Sequence, residues 1–177
     1  HHGWSWMVPD ALLAVCPNVT LHPGKLPRDR GGSPIQNQIR NGENWTYANL
    51  LKMSAKLDDG PVYASQRIPL NGDADDVWAR MTATGVVISR RFLEDLGKPG
   101  YAPSPQATAG PTFYKRVKPT DAELKPDEQT ALQMHNIIRS HSETDPNSYV
   151  VPAYFAYGDN TLVVDRSSLG THDQAGT

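Results

Sequence analysis

The stretch His22-Pro23-Gly24-Lys25-Leu26-Pro27-Arg28-Asp29-Arg30-Gly31-Gly32 crowds two prolines, three glycines and four charged residues into one short segment. Proline removes a backbone donor and fixes one torsion, while glycine leaves the backbone nearly unrestrained, so no helix or strand interior tolerates this composition. It predicts a loop, and the loop constrains its neighbours. Residues 19–21 read as a short strand feeding into it. On its far side Ser33 is a favourable N-cap with Pro34 at the first helical position. Ile35 and Ile39 lie four apart and Gly42 supplies a stop, so a short helix should run to about Asn41.

Residues 4–8 are bulky and apolar and end at Pro9, which suits a short buried strand or its exit. Asp10 can open a helical turn through Leu12, Leu13 and Val15. Further on, residues 46–53 and 62–70 are compatible with strands bracketing Leu57-Asp58-Asp59-Gly60-Pro61, a turn by composition. Asp73 or Asp75 can cap the longest helix, because Val77, Met81, Ile88, Phe92 and Leu96 fall on one stripe and Gly97 follows it. Residues 98–111, rich in Pro, Gly, Ser and Ala, read as an extended connector on the surface. Residues 112–117 suit a brief strand and 126–141 a helix carrying Leu132, Met134, Ile137 and Ile138. Residues 153–157 and 161–164 flank Gly158-Asp159-Asn160, the make-up of a tight hairpin.

Alternating strand and helix patterns point to an α/β fold. The strands are few, and parallel strands need cover on both faces, so βα units before this segment are expected to be missing. The chain begins at His1-His2 with no initiator Met, in keeping with that expectation. The expected organisation is a core over 1–97, a connector over 98–111, a small α+β appendage over 112–165 and a polar tail over 166–177.

Charge and composition exclude several roles. Seventeen Lys+Arg against nineteen Asp+Glu give a formal net charge of −2, so no large basic field is available to hold nucleic acid or an anionic membrane, and a main role in binding DNA or RNA is not expected. No apolar run approaches the roughly 20 residues that cross a bilayer. Cys16 is the only cysteine, which rules out an internal disulfide and a thiolate metal cluster within one chain; a reducing cytoplasm is the expected setting and no metal is expected.

Three features carry chemistry. His22 follows a strand, Asp58 sits in a turn between two strands, and Trp4-Ser5-Trp6-Met7 offers an apolar wall. A histidine held beside a carboxylate is kept in one tautomer and moves protons near neutral pH, an arrangement suited to acyl transfer. Singly, each has a structural explanation: a histidine bonded into the fold, an Asp-Gly-type turn former, and core aromatics.

The pattern Leu21-His22-Pro23-x-x-Leu26-Pro27-x-x-Arg30-Gly31-Gly32-Ser33-Pro34-Ile35 resembles the signature loop of the formyltransferases that use 10-formyltetrahydrofolate. That group includes methionyl-tRNA, glycinamide ribonucleotide and nucleotide-amino-sugar formyltransferases. Downstream, Leu57-Asp58-Asp59-Gly60-Pro61-Val62 is similar to the family's Leu-Asp-x-Gly-Pro-Val turn. The resemblance is strong over residues 3–70 and thinner beyond, where 111–116 and 136–139 still echo family segments. It implies a Rossmann-like formyltransferase fold lacking its N-terminal βα units, with 10-formyltetrahydrofolate as formyl donor. It implies further that His22 and Asp58 are the catalytic pair, that Trp4, Ser5, Trp6 and Met7 line the pterin pocket, and that Ala55, Lys56 and Leu57 belong to the loop closing over the same ring. Arg30 would be conformational or would face the acceptor.

One departure stands out. The family places Asn two residues before this histidine as a second donor to the oxyanion, and here the position is Thr20. Losing one such donor typically costs about 10²–10³ in rate, although a threonine hydroxyl can itself donate one bond. The leading expectation is formyl transfer to a small-molecule amine, a nucleotide-linked amino sugar being favoured over methionyl-tRNA, with oligomerisation left open. A formyltetrahydrofolate hydrolase and a non-catalytic folate-binding homologue are the alternatives.

Overall fold

In the computed structural model, which describes residues 8–16, 18–144 and 148–170, the chain passes through α1 (Asp10–Val15), β1 (Val19–Pro23), β2 (Arg30–Gly31), α2 (Pro34–Arg40), β3 (Trp45–Lys52), β4 (Val62–Pro69) and α3 (Ala74–Asp95). It continues through β5 (Phe113–Tyr114), a 3₁₀ turn (Pro119–Ala122), α4 (Ala131–Ser140), β6 (Ala153–Tyr157) and β7 (Asn160–Val164). Residues 4–7 of the proposed strand, the wall residues Trp4, Ser5, Trp6 and Met7, lie outside the described residues, and Val8, which is described, is buried but not in a strand.

Strands β1, β3 and β4 form one sheet in the order β1-β3-β4, antiparallel at both junctions. A turn connection between β3 and β4 allows only antiparallel pairing, since a parallel neighbour needs a long crossover. Side chains alternate across the sheet, and the two faces differ sharply in company. Val19 and Leu21 of β1, Ala48 and Leu50 of β3 and Ile68 of β4 pack with Ile35 and Ile39 of α2 and with Val77, Met81, Ile88 and Phe92 of α3. The opposite parity puts Thr20 across from Leu51 and His22 across from Asn49, on the face turned from the helices.

α3 crosses β1 closely. A Cβ added at Gly85 would lie 2.6 Å from Leu21 Cδ2, so the missing side chain is what admits the strand. Its start is a full capping box: the Asp76 amide donates to Asp73 Oδ1 at 3.0 Å and the Asp73 amide to Asp76 Oδ2 at 3.2 Å. Leu96, expected on the apolar stripe, is instead 54% exposed, because the helix ends at Asp95 and Leu96 already has extended backbone with ψ 125°. Gly97 turns the chain away at φ +87°.

Ser33 departs from its expected part. It precedes α2, but at φ 46° and ψ 48° it is left-handed, whereas an N-cap side chain reaches its own helix from extended backbone. Its Oγ serves the rest of the molecule instead, accepting the Val117 amide at 3.0 Å and pairing with the Tyr149 hydroxyl at 2.7 Å. Helix α4 begins at Ala131, later than its composition suggests, because Thr130 and Gln133 close a capping box there, and Leu132 is 55% exposed while Ile137 and Ile138 are buried. Those two isoleucines join Leu124 and Ala153 in a second apolar cluster. The 153–164 hairpin forms as the sequence indicates. Among the described residues no helix is long and apolar enough to cross a membrane.

Two stability tests follow from this packing. Ile39→Ala, at a fully buried position, is expected to cost about 2–5 kcal/mol in denaturant unfolding, whereas Leu93→Ala on the exposed side of α3 should stay within about 0.5 kcal/mol. His141, at the end of α4, donates from Nδ1 to the Ile137 carbonyl at 3.0 Å, and burial holds its imidazole below the ordinary value of 6.5. The folded chain therefore binds its proton less readily than the unfolded one. Its contribution is complete above pH 6.5 and is lost as pH falls through the depressed folded value, so His141→Asn should flatten part of the acid-side decline in unfolding free energy.

Candidate functional site

β1 ends by delivering His22 to the face turned from α2 and α3, and the loop behind it folds back over the ring. His22 is 6% exposed. Its Nε2 lies 2.8 Å from the Asp29 carbonyl, which can only accept, so the ring carries its proton on Nε2 in that contact. Nδ1 is left facing Asp58, 3.5 Å from Oδ2. That separation is longer than a well-formed hydrogen bond.

The loop holds its shape through polar contacts made deep in the fold. Asn49 Nδ2 donates to the carbonyls of His22 at 3.1 Å and Gly24 at 2.7 Å, and its Oδ1 accepts the Ser65 hydroxyl at 2.7 Å. Asp29, left-handed at φ 62°, accepts the Lys25 amide on Oδ2 at 3.1 Å, and its own amide reaches Thr112 Oγ1 at 3.0 Å. The buried Lys25 ammonium pairs with Glu43 and lies 4.6 Å from the Trp45 ring centre. Residues 30 and 31, expected inside an irregular loop, form a short parallel ladder with Phe113–Tyr114. Burial, and after it the charge of Asp29, push the pKa of the Tyr114 hydroxyl above its ordinary 10.0.

Asp58 comes from the β3–β4 turn in a left-handed conformation, φ 48°, uncommon for a residue other than glycine. Its Oδ2 accepts the Gly31 amide at 2.8 Å. The signature loop and the turn are thus joined twice, through Gly31 and through His22. Gly60 is essential to this arrangement, since a Cβ there would sit 1.8 Å from the Lys52 carbonyl oxygen.

Of the residues picked out by sequence, His22 and Asp58 meet, and Thr20 lies two positions before His22 on the same face of β1. Ala55, Lys56 and Leu57 are exposed beside Asp58, in a turn pinned by the Ser54 hydroxyl donating to Asp59 Oδ1 at 2.5 Å. Arg30 is buried and its Nη2 donates to Gln106 Oε1 at 2.7 Å. Gln106 belongs to the connector expected to lie on the surface. Its Nε2 donates to the carbonyls of both Asp58 and Gly60 at 2.8 Å, a role that only the tertiary structure reveals. Asn49 likewise carried no signal beyond strand membership.

Two surface cavities lie elsewhere. One of about 740 Å³ is bordered by Gly72, Asp73, His135, Arg139 and Arg166, and one of about 390 Å³ by Arg40, Asn41 and Gln133; neither is lined by His22 or Asp58. Among the described residues no three His, Cys, Asp or Glu side chains cluster so as to hold a metal ion.

No family model matches the chain. It is 34% identical over 149 residues to a methionyl-tRNA formyltransferase of Cutibacterium acnes, an alignment covering 80% of this chain and 46% of the relative. The chain spans about half the length of the curated relatives it matches. Among solved structures it resembles a methionyl-tRNA formyltransferase from Clostridium thermocellum, with TM-score 0.80, 25% identity, and coverage of 96% of this chain and 71% of the other. An N-formyltransferase from Helicobacter canadensis, in complex with folinic acid and dTDP-3-aminofucose, shares the fold at TM-score 0.60 and 19% identity, over 69% of this chain and 46% of the other.

Gly60→Ala tests the turn directly. With the backbone of Lys52 in its way, the added methyl should cost about 1–3 kcal/mol in unfolding free energy, as overpacking does.

Proposed function

The chain belongs to the formyltransferase family, and from that premise we propose that it moves the formyl group of 10-formyltetrahydrofolate onto an amine, with His22 and Asp58 as the catalytic pair. The observation that carries this reading is the approach of Asp58 Oδ2 to His22 Nδ1 at 3.5 Å, made by two loops 36 positions apart in the chain.

The donor supplies an activated formyl carbon, and the remaining work falls to side chains. With Nε2 committed to the Asp29 carbonyl, Nδ1 is the nitrogen free to act. In the protonated ring it donates toward the oxygen that becomes negative when the amine attacks the formyl carbon. Asp58, oriented by the Gly31 amide, stabilises the imidazolium by its charge and receives the proton shed by the attacking amine, which then passes to the departing folate nitrogen. Thr20, on the same face of β1 as His22, is assigned as the second donor to that oxygen through its hydroxyl. Trp4, Ser5, Trp6 and Met7, with Ala55, Lys56 and Leu57, are assigned to the pterin side.

The curated relatives favour methionyl-tRNA as acceptor, since those at 30% identity or more carry that name. A nucleotide-linked amino sugar is the second reading, favoured by the formal net charge of −2, which offers a nucleic acid little general attraction. Supplying the protein with 10-formyltetrahydrofolate and either acceptor separates the two, and formate release without an acceptor identifies hydrolysis instead.

His22→Ala and Asp58→Asn are each expected to lower kcat by about 10²–10⁴, the span of general acid–base catalysis, with a smaller change in donor KM. Thr20→Asn should raise kcat by about tenfold or more if the position serves the oxyanion. A wild-type protein that binds tetrahydrofolate yet transfers nothing to either acceptor would overturn the catalytic reading.

A further inference from the structure

The left-handed Asp58 needs an external hold. Its amide group is one of a small set of non-glycine positions at positive φ, and such a conformation persists only where surrounding contacts over-determine it. The carboxylate has one bond of its own, from the Gly31 amide, and that bond fixes Oδ2 without fixing the peptide behind it. The peptide is gripped from elsewhere. Gln106 sends both N–H bonds of one amide into the turn, to the Asp58 carbonyl and to the Gly60 carbonyl, each at 2.8 Å, so that the turn is closed around a single side chain.

The same glutamine uses its other end as well. Its Oε1 accepts Arg30 Nη2 at 2.7 Å, and Arg30 is the residue immediately before the Gly31 amide that bonds Asp58. Gln106 therefore touches both loops that form the His22–Asp58 approach, gripping the backbone of one and the guanidinium of the other. Its own place is fixed nearby: the Ser104 and Val62 backbones exchange bonds of 2.7 and 2.9 Å, anchoring the connector to the edge of β4 two residues earlier. A glutamine amide suits the task because it offers two donors and an acceptor in one plane, and each of these three bonds finds its matching group.

We infer that Gln106 is a positioning residue for the proposed formyl transfer, acting through Asp58: it holds the turn so that the carboxylate faces His22 Nδ1. The inference rests on the catalytic reading of the pair, but the geometry it describes can be measured without turnover. A carboxylate displaced by about 1 Å is enough to cost on the order of 10²-fold in rate.

The test uses Gln106→Glu and Gln106→Ala in the whole chain. Glutamate is nearly isosteric and keeps an acceptor for Arg30, but presents only lone pairs to the two carbonyls; alanine removes all three bonds. Both should lower kcat by about 10–100-fold while changing donor KM less than about threefold, with Gln106→Glu retaining a cooperative unfolding transition if the alanine variant does not. In an Asp58→Ala background either change should cost less than about twofold, since a residue acting through Asp58 has nothing left to position. Independently of activity, nitrogen-labelled histidine should show the His22 Nδ1 resonance displaced by Gln106→Glu in the direction produced by Asp58→Asn. An unmoved resonance, or an equal loss in the presence and absence of Asp58, would overturn the inference. If the wild type transfers no formyl group at all, the resonance alone decides whether Gln106 positions the pair, and the failure then belongs to the catalytic reading.

Discussion

Everything in this molecule depends on the pairing of β1 with β3 and on the alternation it enforces. Leu21 faces the helices and His22 faces away from them, with Asn49 directly opposite the histidine. A slip of one residue would exchange the two, driving an imidazole into the aliphatic layer and a leucine into the loops. The close passage of α3 at Gly85 guards against that slip, since the gap left by the absent side chain is filled by Leu21. The register is thus set by packing on one face and decides which side chains, His22 among them, stand on the other.

The second face is built by different physics. Among the described residues no helix of the first core cluster covers it; loops do, and loops bring backbone groups that must find partners. The carbonyls of His22, Gly24, Asp58 and Gly60 are answered by the amides of Asn49 and Gln106, and the carbonyl of Asp29 by the imidazole itself. Polar cover of this kind has a functional merit. It places donors and acceptors at fixed positions around His22, where an aliphatic layer would offer none.

The backbone architecture was largely readable in advance because it rests on local chemistry. Asp73 before an apolar stripe, the crowding of proline and glycine after His22, and Gly158 between two short strands each act within a few residues of themselves. The features that escaped are the ones decided at long range. Gln106 stands amid Pro, Ser and Ala and looks like connector filling, yet its partners are Arg30, Asp58 and Gly60, remote in sequence. Ser33 satisfies every local rule for a cap, and its hydroxyl is claimed by Val117 and Tyr149 instead. The meeting of His22 and Asp58 could be anticipated only through resemblance to a known pattern, since neither residue's surroundings name the other. The exposure of Ala55, Lys56 and Leu57 had no local signature either.

The anchoring of the connector has an evolutionary corollary. Tyr101 stacks on Tyr63, Ser104 is tied to Val62, and Gln106 enters the turn, whereas residues 107–111 are exposed. Doubling the length of an untethered span adds only about 0.6 kcal/mol of closure entropy. Insertions after Gln106 are therefore nearly neutral, while a single deletion between Tyr101 and Gln106 shifts the phase of every tether beyond it. Descendants of this chain are free to lengthen that outer arc and graft new recognition onto it, provided the three moorings keep their spacing.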